Sequence, residues 1–85
     1  MDISIIVPLY NEEESLPELA AWIKRVMDEH NFTYEVVMVD DGSSDTSWSV
    51  VERLHAENPN IRGIRFRRNY GKSAALNTGF RACGG

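Results

Sequence analysis

The stretch Glu-Val-Val-Met-Val-Asp-Asp-Gly-Ser-Ser-Asp, residues 35–45, decides how this chain folds. Its apolar run at 36–39 is short, continuous and rich in β-branched side chains, which is typical of a strand buried on both faces inside a parallel sheet. The run ends at Asp40 and Asp41, and Gly42 follows. Because ligands of open α/β sheets bind just beyond the carboxyl ends of the strands, these acids mark a candidate functional site.

The residues before this strand predict another strand and a helix. Residues 3–9 begin with a β-branched apolar run, and Pro8 cannot donate a ladder hydrogen bond, so this strand ends there or runs along a sheet edge. For the helix, Asn11 as N-cap would place Pro17 in the second turn at a cost of about 3 kcal/mol. Ser15 as N-cap, with the glutamate three residues later, predicts a capping box without that cost. The apolar face of this helix comprises Leu16, Leu19, Ala20, Ile23, Val26 and Met27.

The residues after the central strand, itself predicted at 34–40, continue the alternation. A second helix, capped by Ser44 or Asp45, runs to about Glu57, where Asn-Pro-Asn stops it. A third strand is predicted at 61–66 and a helix of small residues at 72–82. The inward residues of the second helix are Trp48, Val51 and Leu54.

The predicted order is therefore β-α-β-α-β-α, an α/β fold in three layers around a parallel sheet. The strands lie about 30 residues apart, the spacing of right-handed parallel crossovers. No strand follows the third helix, so we expect a chain that covers only part of its fold.

Charge and cysteine content narrow the function classes. Residues 1–60 hold all 13 acids and three bases, whereas residues 61–85 hold six bases and no acid. The basic segment pairs across the fold, offers a rim to an anion, or is simply solvated. The acidic balance overall argues against nucleic-acid binding. The single cysteine, Cys83, cannot form an internal disulfide and is predicted to be a small buried or terminal thiol. Because there is also no signal peptide and no apolar run of roughly 20 residues, we expect a cytoplasmic protein.

The first two strands end in side chains that can meet at one ligand. Carboxylates at Asp40 and Asp41 accept hydrogen bonds from a base N–H or ribose hydroxyls. Gly42 permits close backbone approach, and the start of the next helix offers N–H donors. A tyrosine ring at Tyr10 suits stacking on a base, and Glu12 suits ribose or ring nitrogens.

Two further patterns are weaker. Gly-Lys-Ser at 71–73 ends like a P-loop, but Phe66 stands where the first glycine belongs, so only Lys72 remains as a candidate phosphate contact. The histidines, His30 and His55, lack metal-ligand spacing and are predicted at the surface. The tryptophans, Trp22 and Trp48, are predicted to pack rather than to bind ligand.

Together, three segments resemble the inverting GT-A glycosyltransferases of family 2. Val-Pro-Leu-Tyr-Asn-Glu-Glu at 7–13 is similar to that family's opening strand and loop, and Val-Asp-Asp-Gly-Ser-Ser-Asp at 39–45 to its second. Arg-Asn-Tyr-Gly-Lys-Ser-Ala-Ala-Leu-Asn-Thr-Gly at 68–79 is similar to its third, especially in the branch of dolichyl- and undecaprenyl-phosphate sugar transferases.

The resemblance implies that residues 1–85 are the N-terminal, Rossmann-like half of a GT-A domain that recognises a nucleotide-diphosphate-sugar. It implies a base and ribose pocket lined by Pro8, Tyr10 and Glu12, a base contact from Asp41 with Asp40 close by, and Lys72 facing the phosphates. For the acceptor it implies a polyprenyl phosphate, and for the parent protein the cytoplasmic face of the membrane.

In that family Mg²⁺ or Mn²⁺ is bound through an Asp-x-Asp motif on the next strand and stabilises the departing nucleotide diphosphate. This chain stops before that strand, so we expect metal ligands and catalytic base outside it and no activity from it alone. The implied sheet order is 3-2-1-4, which leaves the first strand as an open edge, and we expect a homo-oligomer through that edge.

Two rival classes remain. A receiver-like signalling module also ends a strand in paired acids, but receivers place the pair after the first strand and need an aspartate where this chain has Phe66. The other rival is an α/β interaction domain without catalysis.

Overall fold

The computed structural model describes residues 2–82 as alternating strands and helices. The elements are β1 (Ile3–Leu9), α1 (Leu16–Glu29), β2 (Tyr34–Asp40), α2 (Ser47–Glu57), β3 (Ile61–Arg65) and α3 (Lys72–Ala82). The three strands are parallel, in the order β1-β2-β3. The predicted fold class, the element order and the 3-2-1 part of the sheet order are therefore confirmed. The prediction of a small buried or terminal thiol at Cys83 falls outside the described residues.

The central strand β2 is buried along its whole length because helices cover both faces of the sheet. Val36 and Met38 pack into a core with α1 and α2, while Val37 and Val39 pack against Ala75 of α3. This alternation follows from the two-residue period of a strand. The continuous apolar run of β2 is thus explained by a three-layer arrangement.

The strand β1 lies at an edge of the described sheet. Ile3 pairs with Tyr34 and Leu9 with Asp40, so the first two strands end at the same level. Within residues 2–82, β1 pairs with β2 on one side only, and Ile3 to Pro8 are half-buried. The strand does not end at Pro8. Pro8 lies within this edge strand, which is the second of the two alternatives predicted for it.

Helix α1 begins where the sequence predicts, but its N-cap works differently. Ser15 is the N-cap residue and Pro17 lies in the first turn, yet the Ser15 side chain makes no capping hydrogen bond. Its hydroxyl donates instead to the Glu12 carboxylate, 2.8 Å away. The predicted capping box is therefore wrong, because Ser15 adopts helical backbone angles (φ −90°, ψ −18°), whereas a capping residue needs an extended conformation to aim its oxygen at the helix N–H groups.

The ends of α2 and β3 also differ slightly from the prediction. The N-cap position of α2 is Thr46, which makes no capping hydrogen bond with its side chain, whereas the side chain of Asp45, one of the two predicted caps, accepts from the Ser47 N–H. Strand β3 ends at Arg65, one residue early, although the Phe66 N–H still donates to the Asp40 carbonyl at 2.8 Å.

The structure confirms the packing prediction for one tryptophan and contradicts it for the other. Trp48 is half-buried against the core as predicted, whereas Trp22 is 55% exposed on α1, so the packing prediction for it is wrong. Trp22 lies two positions after buried Ala20 and one before buried Ile23, which turns it off the apolar face. The histidines His30 and His55 are exposed as predicted. In the part of the chain that is described, no helix has the length and apolar character needed to cross a bilayer.

Candidate functional site

Three loops meet at the carboxyl ends of the strands. The ends of β1 and β2 are in register, since Leu9 pairs with Asp40, and Asp40 also pairs with Arg65 near the end of β3. The loops that follow, 10–15, 41–46 and 66–71, therefore lie side by side. The parallel sheet gathers all three sequence motifs at one edge.

Asn11 joins the first loop to the second. Its backbone N–H donates to the Ser43 hydroxyl at 2.8 Å. Its side-chain oxygen accepts from the backbone N–H groups of Ser44, at 2.9 Å, and Asp45, at 3.3 Å. Asn11 adopts a φ of 52°, a left-handed conformation that asparagine tolerates better than most residues. No binding role was predicted for Asn11, and its structural role depends on a loop over 30 residues away in sequence.

The start of α2 is capped by carboxylates of the protein itself. Glu13 accepts from the backbone N–H of Thr46, at 3.1 Å, and from its hydroxyl. Asp45 accepts from the Ser47 N–H at 2.9 Å, and Ser47 in turn accepts from the Glu12 N–H at 2.9 Å. Hydrogen bonds from Ser47, its side chain first, hold the pKa of Asp45 below its ordinary value. The Thr46 and Ser47 N–H groups are therefore bonded within the protein and are not among the donors that this helix start was predicted to offer a ligand.

The adjacent acids Asp40 and Asp41 have different surroundings. Asp40 is fully buried, and one of its carboxylate oxygens accepts from the Ser43 N–H at 2.8 Å. Among residues 2–82 its other oxygen, Oδ2, has no hydrogen-bond partner. Asp41 is 5% exposed and accepts from two consecutive N–H groups of the third loop, those of Tyr70 at 2.8 Å and Gly71 at 3.0 Å. Asp40 supports the second loop, and Asp41 connects that loop to the third.

A cavity of about 190 Å³ opens between the first loop, the second loop and the start of α3. Its lining residues are Pro8, Leu9, Tyr10, Glu12, Asp41 and Lys72. The structure thus gathers five of the six predicted site residues around one space and leaves Asp40 behind it. Leu9 was not predicted to line it, although its position between Pro8 and Tyr10 at the strand end was the available signal.

The cavity brings unlike chemistry together. Tyr10 is 46% exposed and supplies an aromatic face. Glu12 and Asp41 supply carboxylates, and Lys72 supplies an ammonium group at the first position of α3. A larger groove of about 310 Å³ lies between α1 and α2, but Ala20, Leu54 and other residues of the helices line it, outside the three motifs.

The described residues do not form a metal centre. An acidic concavity of about 380 Å³ lies beside the cavity, with Glu12, Glu13, Glu14 and Asp45 in its wall. Nonetheless, no three His, Cys, Asp or Glu side chains within residues 2–82 are arranged to hold a metal ion. The two carboxylates at the start of α2 are already engaged with backbone N–H groups.

The arginines of the basic segment contact rings and a carbonyl. The Arg65 guanidinium lies 5.8 Å from the Trp48 ring centre, and that of Arg68 lies 5.1 Å from the ring of Tyr70. Arg62 donates to the Ala82 carbonyl. The ion pair found between described residues joins Lys24 and Asp28 on α1, so it does not involve this segment.

A parallel sheet with helices on both faces and polar side chains at its carboxyl edge defines a Rossmann-like α/β domain. Residues 4–85 match the family described as glycosyl transferase family 2. The chain belongs to that family.

Similar proteins agree with this assignment. The chain is 42% identical over 84 residues to the undecaprenyl-phosphate 4-deoxy-4-formamido-L-arabinose transferase of Pseudomonas fluorescens, covering 98% of this chain and 25% of that protein. The mannosyltransferase PcManGT of Pyrobaculum calidifontis, in complex with GDP-Man and Mn²⁺, superposes with a TM-score of 0.81 and 31% identity over 96% of this chain and 24% of its own. TarS 1–349 of S. aureus in complex with UDP superposes with a TM-score of 0.78 and 29% identity over 100% of this chain and 25% of its own. The chain spans about a quarter of the length of these relatives.

Proposed function

We propose that this chain is the N-terminal, donor-recognition part of an enzyme that transfers a sugar from a nucleotide-diphosphate-sugar to an acceptor. The observation that carries the proposal is the cavity at the strand ends, where Tyr10, Glu12, Asp41 and Lys72 converge. Family membership supports it independently. Complexes of similar proteins with GDP-Man and with UDP support the ligand class.

Each lining group suits one part of such a ligand. The Tyr10 ring stacks on the base, and Glu12 and Asp41 accept hydrogen bonds from base N–H groups or ribose hydroxyls. Lys72 attracts the diphosphate. Pro8 closes the pocket with an apolar ring. Asp40 lies behind the pocket and supports the second loop by accepting a hydrogen bond from the Ser43 N–H.

The size of the cavity limits what this part of the protein holds. Pockets for drug-sized ligands measure roughly 300–1,000 Å³, and this one measures about 190 Å³. It therefore suits the nucleotide end of the donor, with Lys72 at the diphosphate, rather than the whole molecule. The sugar, the acceptor and the catalytic base would contact other residues of a longer protein.

The metal and the acceptor are proposed by analogy with the relatives. A divalent ion, Mg²⁺ or Mn²⁺, would be held by residues outside 2–82, since the described acids do not fit one. The name of the Pseudomonas relative supports an acceptor of the polyprenyl-phosphate class. A cytoplasmic location, with action at the cytoplasmic face of a membrane, remains a prediction that accompanies this acceptor.

Nucleotide titration tests the proposal. Addition of UDP or GDP to the 85-residue chain should shift the NMR signals of Tyr10, Glu12 and Asp41. Tyr10→Ala should weaken binding roughly tenfold, because base–aromatic stacking contributes about 1–3 kcal/mol. Trp22→Ala is the matched control, since Trp22 is a similarly exposed ring on α1, away from the cavity.

The same titration separates the rival classes. An interaction domain without a donor site would show no shifts with millimolar nucleotide, which would remove the proposed function and leave the fold unaffected. A receiver-like module would instead respond to a small phosphodonor. The chemistry of a receiver needs an aspartate at the end of the third strand, and this chain has Phe66 there.

A further inference from the structure

Asp41 has a second set of contacts besides the cavity. Its two carboxylate oxygens accept hydrogen bonds from the consecutive N–H groups of Tyr70 and Gly71, at 2.8 and 3.0 Å. A charged acceptor roughly doubles the strength of such bonds. Asp41 is also 5% exposed, so water competes weakly for it. The carboxylate therefore holds the end of the third loop.

Gly42 brings the third loop close enough for these bonds. A Cβ at residue 42 would lie 2.3 Å from the Arg68 carbonyl carbon and 2.5 Å from the Asn69 nitrogen. The backbone of the third loop thus rests directly on the second loop, beside Asp41. Two independent observations, one of hydrogen bonds and one of backbone contact, describe the same junction.

Lys72 immediately follows the bonded residues. It is the first residue of α3, and it lines the same cavity as Asp41. Gly71, between the bonded loop and Lys72, has a φ of +99° and no atom within 4 Å of a Cβ position. The Gly71 N–H donates to Asp41, and the Gly71 carbonyl accepts from the Ala75 N–H at 3.2 Å, so this residue connects the Asp41 carboxylate to the first turn of α3.

We propose that Asp41 is a positioning residue for Lys72 and, through it, sets the affinity of the cavity for a diphosphate. The inference rests on the proposed function and deepens it. A carboxylate offers about four lone-pair sites. Asp41 can therefore hold the loop and still accept a hydrogen bond from a base.

Inorganic pyrophosphate distinguishes positioning from direct contact because it has no base. Asp41→Asn removes a negative charge beside the site, so charge alone predicts that the variant binds pyrophosphate more tightly. It also replaces one acceptor oxygen by an NH₂ group facing a backbone N–H, which releases the loop. If Asp41 positions Lys72, the variant should bind pyrophosphate about tenfold more weakly. Binding of uridine, which has a base but no phosphate, measures the direct base contact separately.

The test is a double-mutant cycle in the 85-residue chain, with Asp41→Asn, Lys72→Met and both together, titrated with pyrophosphate by NMR and calorimetry. We expect Asp41→Asn to weaken binding in the wild-type background and not to weaken it further when Lys72 is Met, because only the loss of a negative charge then remains. Equal or tighter pyrophosphate binding by Asp41→Asn, or a full additive loss in the double variant, would overturn the proposal.

A second variant disturbs the same junction through the backbone, and the NMR spectra of both variants show whether each remains folded. Gly42→Ala keeps the Asp41 carboxylate but displaces the third loop, so it should weaken pyrophosphate binding as well. If the wild-type chain binds neither UDP nor pyrophosphate, the proposed function fails. The positioning claim is then judged by {¹H}–¹⁵N NOE values at residues 70–72, which must fall in Asp41→Asn; unchanged values would refute it.

Discussion

At the scale of single residues, Gly42 combines two obstacles to a side chain. Its φ of +76° lies in the left-handed region, and the space for a Cβ is taken by the backbone of Arg68 and Asn69. Backbone atoms cannot rotate aside as a flexible side chain does. Conformational strain and steric conflict therefore add at this residue.

Gly42→Ala should destabilise the chain by more than the roughly 1–2 kcal/mol that the left-handed conformation costs an L-residue. Gly71→Ala is the matched control, because Gly71 also has positive φ, +99°, but has no atom within 4 Å of its Cβ position. Urea unfolding of both variants measures the difference. Equal losses in the two variants would show that the loop contact adds nothing.

At the scale of elements, the N-terminus of α2 depends on carboxylates that the first and second loops supply. Negative groups there interact favourably with the helix dipole and fill donors that would otherwise be unsatisfied. Glu13 accepts from the Thr46 N–H, and Asp45 from the Ser47 N–H. The Asn-Glu-Glu segment at 11–13, in the loop after β1, therefore stabilises the N-terminus of α2.

Asp45 should make this element sensitive to acid. Hydrogen bonds from Ser47 lower the pKa of Asp45 below its ordinary value of 3.8. Its stabilising contribution is therefore present above that pH and is lost as the pH falls through the lowered pKa. Asp45→Ala should melt below wild type near neutral pH, and the gap should close in strong acid. Thermal melts across pH test this, with Glu52→Ala, on the exposed surface of α2, as control.

Helix α3 packs against β1 through a glycine. A Cβ at Gly79 would lie 2.3 Å from Cγ2 of Ile6, and a β-branched side chain has little freedom to move away. Gly79→Ala should therefore destabilise by about 1–3 kcal/mol as overpacking, despite the better helix propensity of alanine. With Ile6→Ala in the background, the same substitution should be neutral or stabilising. Chemical unfolding of the four proteins measures this coupling, and simple additivity would contradict it.

At the scale of the whole molecule, the open side of β1 is the structural feature that invites association. Among the described residues β1 pairs with β2 alone, and its backbone offers unpaired groups along the other side. Pro8 lies in this strand and lacks an N–H, so one hydrogen-bond donor is missing from the strand. The expected homo-oligomer remains a prediction.

Sedimentation equilibrium over a wide concentration range tests it. We expect the average mass to rise with concentration, and the outward-facing amides of β1 to exchange more slowly in the concentrated sample. Amides of β2, which is paired on both sides, serve as the internal control. A monomer at millimolar concentration with unchanged β1 exchange would refute association through this edge.

Local sequence signals were sufficient to predict the order of the elements, the parallel sheet and the edge at which the three motifs meet. Periodicity, turn residues and crossover spacing are local signals, and the carboxyl ends of parallel strands meet wherever the strands are parallel. Five of the six predicted site residues lie around one cavity for this reason.

How the loops bind one another depends on contacts between residues far apart in the sequence. The hydroxyl of Ser15 turns to Glu12, Glu13 reaches Thr46, and the Asp41 carboxylate takes two amides of the third loop. The last two contacts join residues about 30 positions apart, so their partners depend on strand register and on positive φ at Gly42. Local sequence contains no record of that register, because it is set when the two crossovers pack on β2.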